Sequence, residues 1–297
     1  MRAMLLGAVL ATAGVGACAQ AVSVSAQASH DSDSFNEQKL TLGYRGSMGW
    51  GLTAGTLRYT APGWSENGTT LAATYKQADA SRQMDASVGV ARIAQHDHAV
   101  GTFNYMRAWT DSTSAGVSAE RDFINSQRGI EAGLAYNTVV GVIDHAFTDR
   151  FNVGVAGGWS FFPHDNRRPL LRTRWNYLVD DQVGLNAYLK TRSYRNTRPG
   201  QVEYFSPGHL NEASLGLSVR FAVGSLLNFN ASVDGGQQRI DDDTHGVWSL
   251  AFGLASRRGS AIDWMVGVEA TNAASLFTVR QDAYRYTSAV ARISIPL

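Results

Sequence analysis

Phe151-Asn152-Val153-Gly154-Val155-Ala156-Gly157-Gly158-Trp159-Ser160-Phe161-Phe162 is the stretch on which the fold turns. Phe151, Val153, Val155, Gly157 and Trp159 share one side of an extended chain, whereas Asn152, Gly154, Ala156, Gly158 and Ser160 share the other. One face is apolar and the other is small or polar. Such alternation predicts a strand that separates two different environments.

The same unit recurs on both sides of it. Val22, Val24, Ala26 and Ala28 alternate with Ser23, Ser25, Gln27 and Ser29, and the pattern breaks at His30-Asp31-Ser32-Asp33-Ser34. Further strands are predicted at 39–46, 51–60, 69–77, 84–93, 98–107 and 112–122, with a longer apolar stretch at 133–147. Beyond 151–162 they continue at 170–179, 183–194, 211–222, 227–239, 246–257, 262–273 and 284–296, about sixteen in all. Long helical periodicity is found nowhere past the N-terminus. With 30 Gly, 6 Pro and 17% charge spread without long runs, the 297-residue composition also suits many short strands. A net charge of +1 gives no electrostatic case for nucleic acid, which needs a clustered basic face.

The first residues read differently. Arg2 precedes an apolar run from Met4 to Val15, then small residues offer cleavage sites at Ala17-Cys18-Ala19 and Ala19-Gln20-Ala21. This predicts a secretory signal peptide over 1–21 and a single barrel domain over 22–297. The run is too short for a membrane helix, and no later segment approaches the roughly 20 apolar residues required. Cys18, the only cysteine, keeps two readings: removal with the signal, or lipidation at a lipobox-like Val15-Gly16-Ala17-Cys18.

Connection lengths add a topology, because outer-membrane barrels have short turns at the periplasmic end and longer loops outside. Asp149-Arg150, Asp180-Asp181-Gln182 and Val223-Gly224-Ser225 are short. Pro163 to Pro169, Arg195 to Leu210 and Ile240 to His245 read as longer. An N-terminus delivered from the periplasm requires an even strand count. That parity makes 22–29 the first of sixteen strands, with fourteen as the fallback if two weak strands merge.

The polar face decides between a membrane barrel and a soluble sandwich. Lys39, Arg45, Lys76, Arg172, Arg174, Lys190, Arg192, Glu212, Arg220, Asp234, Gln238, Asp263 and Glu269 occupy mid-strand positions that a dry core would not bury unpaired. A wet lumen accepts them. Opposite lie lipid-compatible sets such as Leu171, Trp175 and Tyr177, or Ala213, Leu215, Leu217 and Phe221. Arg172, Arg174, Lys190 and Arg192 are expected to form a cationic stripe, answered by Glu212, Asp234, Asp263 and Glu269 on later strands. Trp50, Tyr59, Tyr75, Tyr105, Trp109, Phe162, Tyr177, Tyr204, Tyr284 and Tyr286 fall near strand ends, where interfacial girdles sit, although aromatic residues also favour strands in general. Ala289, Ala291, Ile293, Ile295 and Leu297 form an alternating last strand that ends on Pro296-Leu297 rather than on an aromatic residue.

Two short motifs carry a resemblance. Phe162-Pro163-His164-Asp165-Asn166-Arg167-Arg168 resembles a Phe-Ser-Asp-Gly-Asn-x-Arg element in the C-terminal barrels of exopolysaccharide export porins, the outer-membrane subunits for poly-N-acetylglucosamine and cellulose secretion. Phe162, Asn166 and Arg168 match; Pro163-His164-Asp165 departs. About forty residues on, Tyr204-Phe205-Ser206-Pro207 is similar to the aromatic-Phe-(Asn/Ser)-Pro element before another barrel strand of that family, here Leu215 to Phe221. Those porins carry a long periplasmic tetratricopeptide superhelix before the barrel, which this chain lacks room for. The resemblance therefore implies either a separate periplasmic scaffold or synthase complex as partner, or a free-standing barrel of the same lineage.

Catalytic chemistry finds little support. His96 and His98 flank Asp97, and His145 follows Asp144, without any nucleophile motif. Asp241-Asp242-Asp243 lacks the ligand spacing of a calcium loop, and no zinc or phosphate-loop pattern is present. The expected protein is an all-β transmembrane antiparallel up-and-down barrel in the bacterial outer membrane, in contact with its lipid, without cofactor or metal and not an enzyme. The expected function is a passive conduit for exopolysaccharide. A general diffusion porin or structural barrel is the alternative, and a lipid-modifying or hydrolytic barrel the third reading.

Overall fold

The computed structural model describes residues 20–257, 262–274 and 284–297. Sixteen antiparallel strands close into one barrel in which each pairs with its sequence neighbours and the last with the first. They are β1 (Ala21–Asp31), β2 (Asn36–Arg45), β3 (Trp50–Ala61), β4 (Trp64–Ala78), β5 (Arg82–Ile93), β6 (His96–Ala108), β7 (Thr113–Phe123) and β8 (Ala135–Ala146). The second half holds β9 (Phe151–Phe162), β10 (Asn166–Asp180), β11 (Leu185–Arg195), β12 (His209–Val223), β13 (Leu227–Ile240), β14 (Asp243–Ser256), β15 (Asp263–Thr271) and β16 (Tyr286–Pro296). A five-residue helix, α1 (Gln127–Glu131), lies between β7 and β8.

Every predicted strand corresponds to one of these, and the segment at 22–29 is β1, as parity required. Closure runs from Ala21↔Pro296 to Asp31↔Tyr286, so no strand edge is left unpaired. Leu297 N–H donates to Gln20 O at 2.8 Å, which puts both ends of the barrel chain at one rim, called here the terminal end. Of the predicted signal peptide, residues 1–19, with Cys18 and the Ala17-Cys18-Ala19 site, lie outside the described residues. Ala21 is paired on both sides, with Arg45 and with Pro296. Cleavage after Ala19 leaves β1 whole and cleavage after Ala21 shortens it, so intact-mass measurement of the exported protein is expected to give Gln20 as first residue.

In a closed barrel, side chains from non-adjacent strands can meet only on the concave side. Lys190 of β11 pairs with Asp234 of β13 at 2.7 Å, and Asn125 Nδ2 reaches Glu37 of β2 at 2.9 Å. Those contacts fix the inward face, and alternation carries it along each strand. The opposite face is an apolar belt with Leu52 58%, Val88 69%, Leu215 67%, Phe252 49% and Val268 51% exposed, among many others. So much contiguous exposed hydrocarbon is what lipid, not water, accommodates.

Aromatic residues divide by end. Trp50 packs against Tyr75 in a tilted pair at 4.8 Å, and Phe147, Phe151 and Trp175 form a stacked row, so the terminal end carries an exposed girdle that also includes Trp109 and Tyr177. Tyr59, Phe162, Tyr204 and Tyr284 do not belong to a girdle: they are buried at the other, loop end. Strand-end position was the same for both groups; inward parity or a loop folded inward separates them.

The short terminal-end turns are as expected. Two expected loops are instead tight hairpins. His164 and Asp165 both take left-handed backbone, φ 60° and 55°, so β9 turns directly into β10 at 163–165 and Asn166 through Pro169 already belong to the strand. Asp241, φ 52°, closes β13 onto β14 in a two-residue turn with Asp242. Polar and proline residues suggested loops, but left-handed residues let each turn close in two or three positions. The third, 196–208, is a true long loop.

Inward small residues let strands approach. A Cβ on Gly158 would sit 2.0 Å from Val139 O and 2.7 Å from Val140 Cα, both backbone atoms. Gly158→Val is expected to lower the urea unfolding midpoint by about 1–3 kcal/mol equivalent, the usual penalty for forced overpacking; an unchanged midpoint would refute this reading of β8–β9 packing.

Candidate functional site: a closed mouth above a cationic wall

The two motifs meet at the loop end. Phe162, last on β9, faces inward and stacks between Tyr136 at 5.7 Å and Tyr204 at 4.8 Å. Arg168, third residue of β10, places its guanidinium 4.5 Å from the rings of both Phe162 and Tyr194. Its Nε donates to Asn196 Oδ1 at 2.9 Å and its Nη2 to Phe205 O. Asn166 Nδ2 donates to Asn196 Oδ1 and to Tyr204 Oη, while its Oδ1 accepts Arg198 N–H at 3.0 Å. Tyr204 Oη donates to Pro163 O at 3.3 Å, and burial pushes its phenol up, so it stays a donor. Asn196 Nδ2 donates to Pro207 O at 2.6 Å, and Ser206 Oγ accepts Gln201 N–H at 2.7 Å.

Arg168 is 1% exposed and Asn166 0%, yet each finds partners on the loop 196–208. These residues therefore form a clasp holding that loop inside the barrel, and do not line an open exit. Phe205 completes the anchoring by packing with Val140, Leu170, Tyr194, Leu210 and Ile240.

A second inward segment, 124–134, closes on it from the other side. Ser126 caps α1 by accepting Gly129 N–H at 3.0 Å, and the same hydroxyl donates to Glu203 O of the first loop. Ile130 is fully buried among Leu57, Tyr59, Ala91, Ile93 and Phe123. Asn125 reaches Glu37, whose carboxylate also receives Lys39 Nζ at 2.8 Å, Tyr59 Oη at 3.3 Å and Ser29 Oγ at 3.2 Å. Ile124, Tyr136, Phe162 and Tyr204 form one buried cluster that joins the two segments. Glu37, Asn125, Ser126, Tyr136, Tyr194 and Asn196 carry no motif in the sequence. The one available signal was Ser126 three residues before Gly129 in an interval without strand periodicity.

Below the mouth, Arg172 faces Arg192 and Arg174 faces Lys190 across the β10–β11 ladder, a block of four cations. Two have carboxylate partners: Arg192 Nη2 lies 2.6 Å from Glu212 Oε2, and Lys190 Nζ 2.7 Å from Asp234 Oδ1. Glu212 also accepts Gln238 Nε2, and Asp234 accepts Tyr188 Oη at 3.0 Å and Ser249 Oγ. Arg174 lies 3.9 Å over the Tyr188 ring and donates from Nε to Asn176 Oδ1. The remaining candidates sit apart from the block. Glu269 accepts Ser288 Oγ at 3.0 Å, while Arg220 and Asp263 lie exposed toward the terminal end. Glu212→Gln removes one of the two compensating charges. In a barrel with shortened mouth segments it is expected to raise the anion-to-cation permeability ratio about two- to threefold, read as a reversal potential under a salt gradient.

His145 faces lipid and pairs with Thr113 Oγ1 at 2.8 Å; His96 meets Glu131 O at the end of α1. Asp241 Oδ1 accepts His209 N–H at 2.9 Å, tying its turn to the start of β12. Among the described residues no grouping of three or more metal-ligating side chains occurs.

No family model matches the chain, and no curated protein sequence does. Among solved structures it is similar to a bacterial polysaccharide outer membrane secretin, with TM-score 0.74 and 11% identity over 95% of this chain and 99% of that one. CdiB from Acinetobacter baumannii superposes with TM-score 0.52 and 9% identity, covering 93% of this chain and 60% of that one. At such identities the agreement is one of fold: a closed sixteen-stranded barrel of the outer-membrane kind.

Proposed function

We propose that this chain is an outer-membrane pore through which an exopolysaccharide leaves the cell, supplied from the periplasmic side by a separate scaffold or synthase complex. The observation that carries the reading is the end-to-end agreement with a polysaccharide secretin barrel over 95% and 99% of the two chains. Two features support it. The inner wall of β10–β14 presents arginine, lysine, tyrosine, serine and carboxylate groups that offer a sliding sugar many weak hydrogen bonds. The mouth is closed by segments that hold one another through single side chains, which suits a conduit opened by cargo better than a general diffusion porin. With the termini on the periplasmic side, the clasp stands at the extracellular exit.

The test is genetic and chemical together. Deleting the gene is expected to abolish secreted polymer, and restoring the barrel to return it; unchanged polymer would remove the proposal in favour of a general porin. For the hydrolytic alternative, membrane lipid profiles are expected to be the same with and without His96→Ala or His145→Ala.

A further inference from the structure

We propose that Arg172 and Arg192, with Arg174 beside them, form a binding site for the carboxylate of an acidic sugar unit on the inner wall below the clasp. This rests on the polysaccharide reading and deepens it by assigning the cargo a charge.

Arg172 is half-buried on the inner face of β10. Among the described residues its Nε is buried with no hydrogen-bond partner, and the same holds for Arg192 Nε directly across the ladder. A buried guanidinium N–H without an acceptor is costly, and two of them facing each other compound like-charge repulsion. Such an arrangement is retained where an acceptor arrives from outside. On the β9 flank, the residues opposite Arg172 and Arg174 are Ala156 and Gly154, which supply no polar group.

Among the described residues no carboxylate is ion-paired with Arg172 or Arg174. Glu212 and Asp234 are held by Arg192 and Lys190. Glu120, within electrostatic reach of Arg172, accepts Tyr136 Oη at 2.9 Å. Asp144 leans over Gly154, the residue opposite Arg174, and among the described residues no ion pair joins it to Arg174. Two of the four cations are ion-paired, and the two without a carboxylate partner, Arg172 and Arg174, are adjacent on one strand. A planar guanidinium fork matches a planar carboxylate. The ring of Tyr188 lies under Arg174, so the cation is held on the wall and its outer face is left for ligand. No cation here is a lone surface charge; all four point into the lumen.

The experiment uses the full barrel in detergent and isothermal titration calorimetry with three probes: a glucuronic acid tetramer, a neutral glucose tetramer and inorganic phosphate. The acidic tetramer is expected to bind at least tenfold more tightly than either of the others. Arg172→Gln is expected to weaken it about tenfold, while Arg195→Gln, an exposed cation on the outer face of β11, leaves it unchanged. Equal binding of phosphate, equal binding of the neutral tetramer, or an Arg172→Gln variant that is folded by circular dichroism and binds normally would each overturn the site. If that variant does not fold, the comparison of probes on the unaltered barrel decides. Polymer export that depends on the gene without acid-selective binding removes only this site. Acid-selective binding with polymer unaffected by deletion removes the conduit reading instead.

Discussion

Arg168→Ala is expected to destabilise the barrel by about 3 kcal/mol and to free the loop 196–208. The change removes a cation held between two aromatic rings and leaves Asn196 Oδ1 and Phe205 O without that donor in a buried site. Breaking one side of a buried charged network typically costs about 3–5 kcal/mol, and unpaired carbonyls account for part of it. Urea unfolding measures the first effect. Glu-C cleavage after Glu203 measures the second and is expected to accelerate at least tenfold, because Arg168 holds the next residues of that loop through Phe205 O and through Asn196, which in turn donates to Pro207 O. Arg168→Lys keeps the charge but not the two-point donation, and is expected to fall between. A variant with native midpoint and native protease resistance would show that Arg168 is not the clasp.

Replacing 125–132 with a short glycine-serine linker is expected to raise single-channel conductance roughly tenfold, since a barrel of this strand number encloses a water-filled lumen once its plug is gone. The segment seats Ile130 in one buried cluster and sends Asn125 to Glu37 and Ser126 to the opposite loop. Removing it therefore severs every contact by which the two inward segments brace one another through α1. The barrel wall does not depend on it, because β7 and β8 remain paired from Phe123↔Ala135 to Thr113↔His145. Unaltered conductance in planar bilayers, with the barrel folded, would mean that closure lies elsewhere.

The wall of this protein is written in its alternation. Period two, repeated sixteen times with apolar and polar faces of opposite content, fixes strand number, sidedness and closure. Parity converts even the modest segment at 22–29 into β1, because pairing is a local consequence of pleat and neighbour order. Alternation assigns Lys190, Arg192, Glu212 and Asp234 to the polar face for the same reason: a strand tells each residue which side it faces.

What lies inside the wall was not legible. Phe162, Asn166, Arg168 and Tyr204 stood out as motifs, but whether they frame an opening or fill it depends on where 196–208 folds. That is decided by Asn196, Tyr194 and Phe205 at separations of about thirty to forty residues from their partners. The interval 124–134 shows no period, so sequence pattern is silent on its descent into the mouth. Only the tertiary structure brings Asn125 to Glu37, 88 positions away, where a buried carboxylate finds its donors. The sequence by itself determined the barrel, because strands obey a local rule; the closed mouth and the facing, unpartnered Nε groups of Arg172 and Arg192 came from the tertiary structure, because contacts across a lumen obey none.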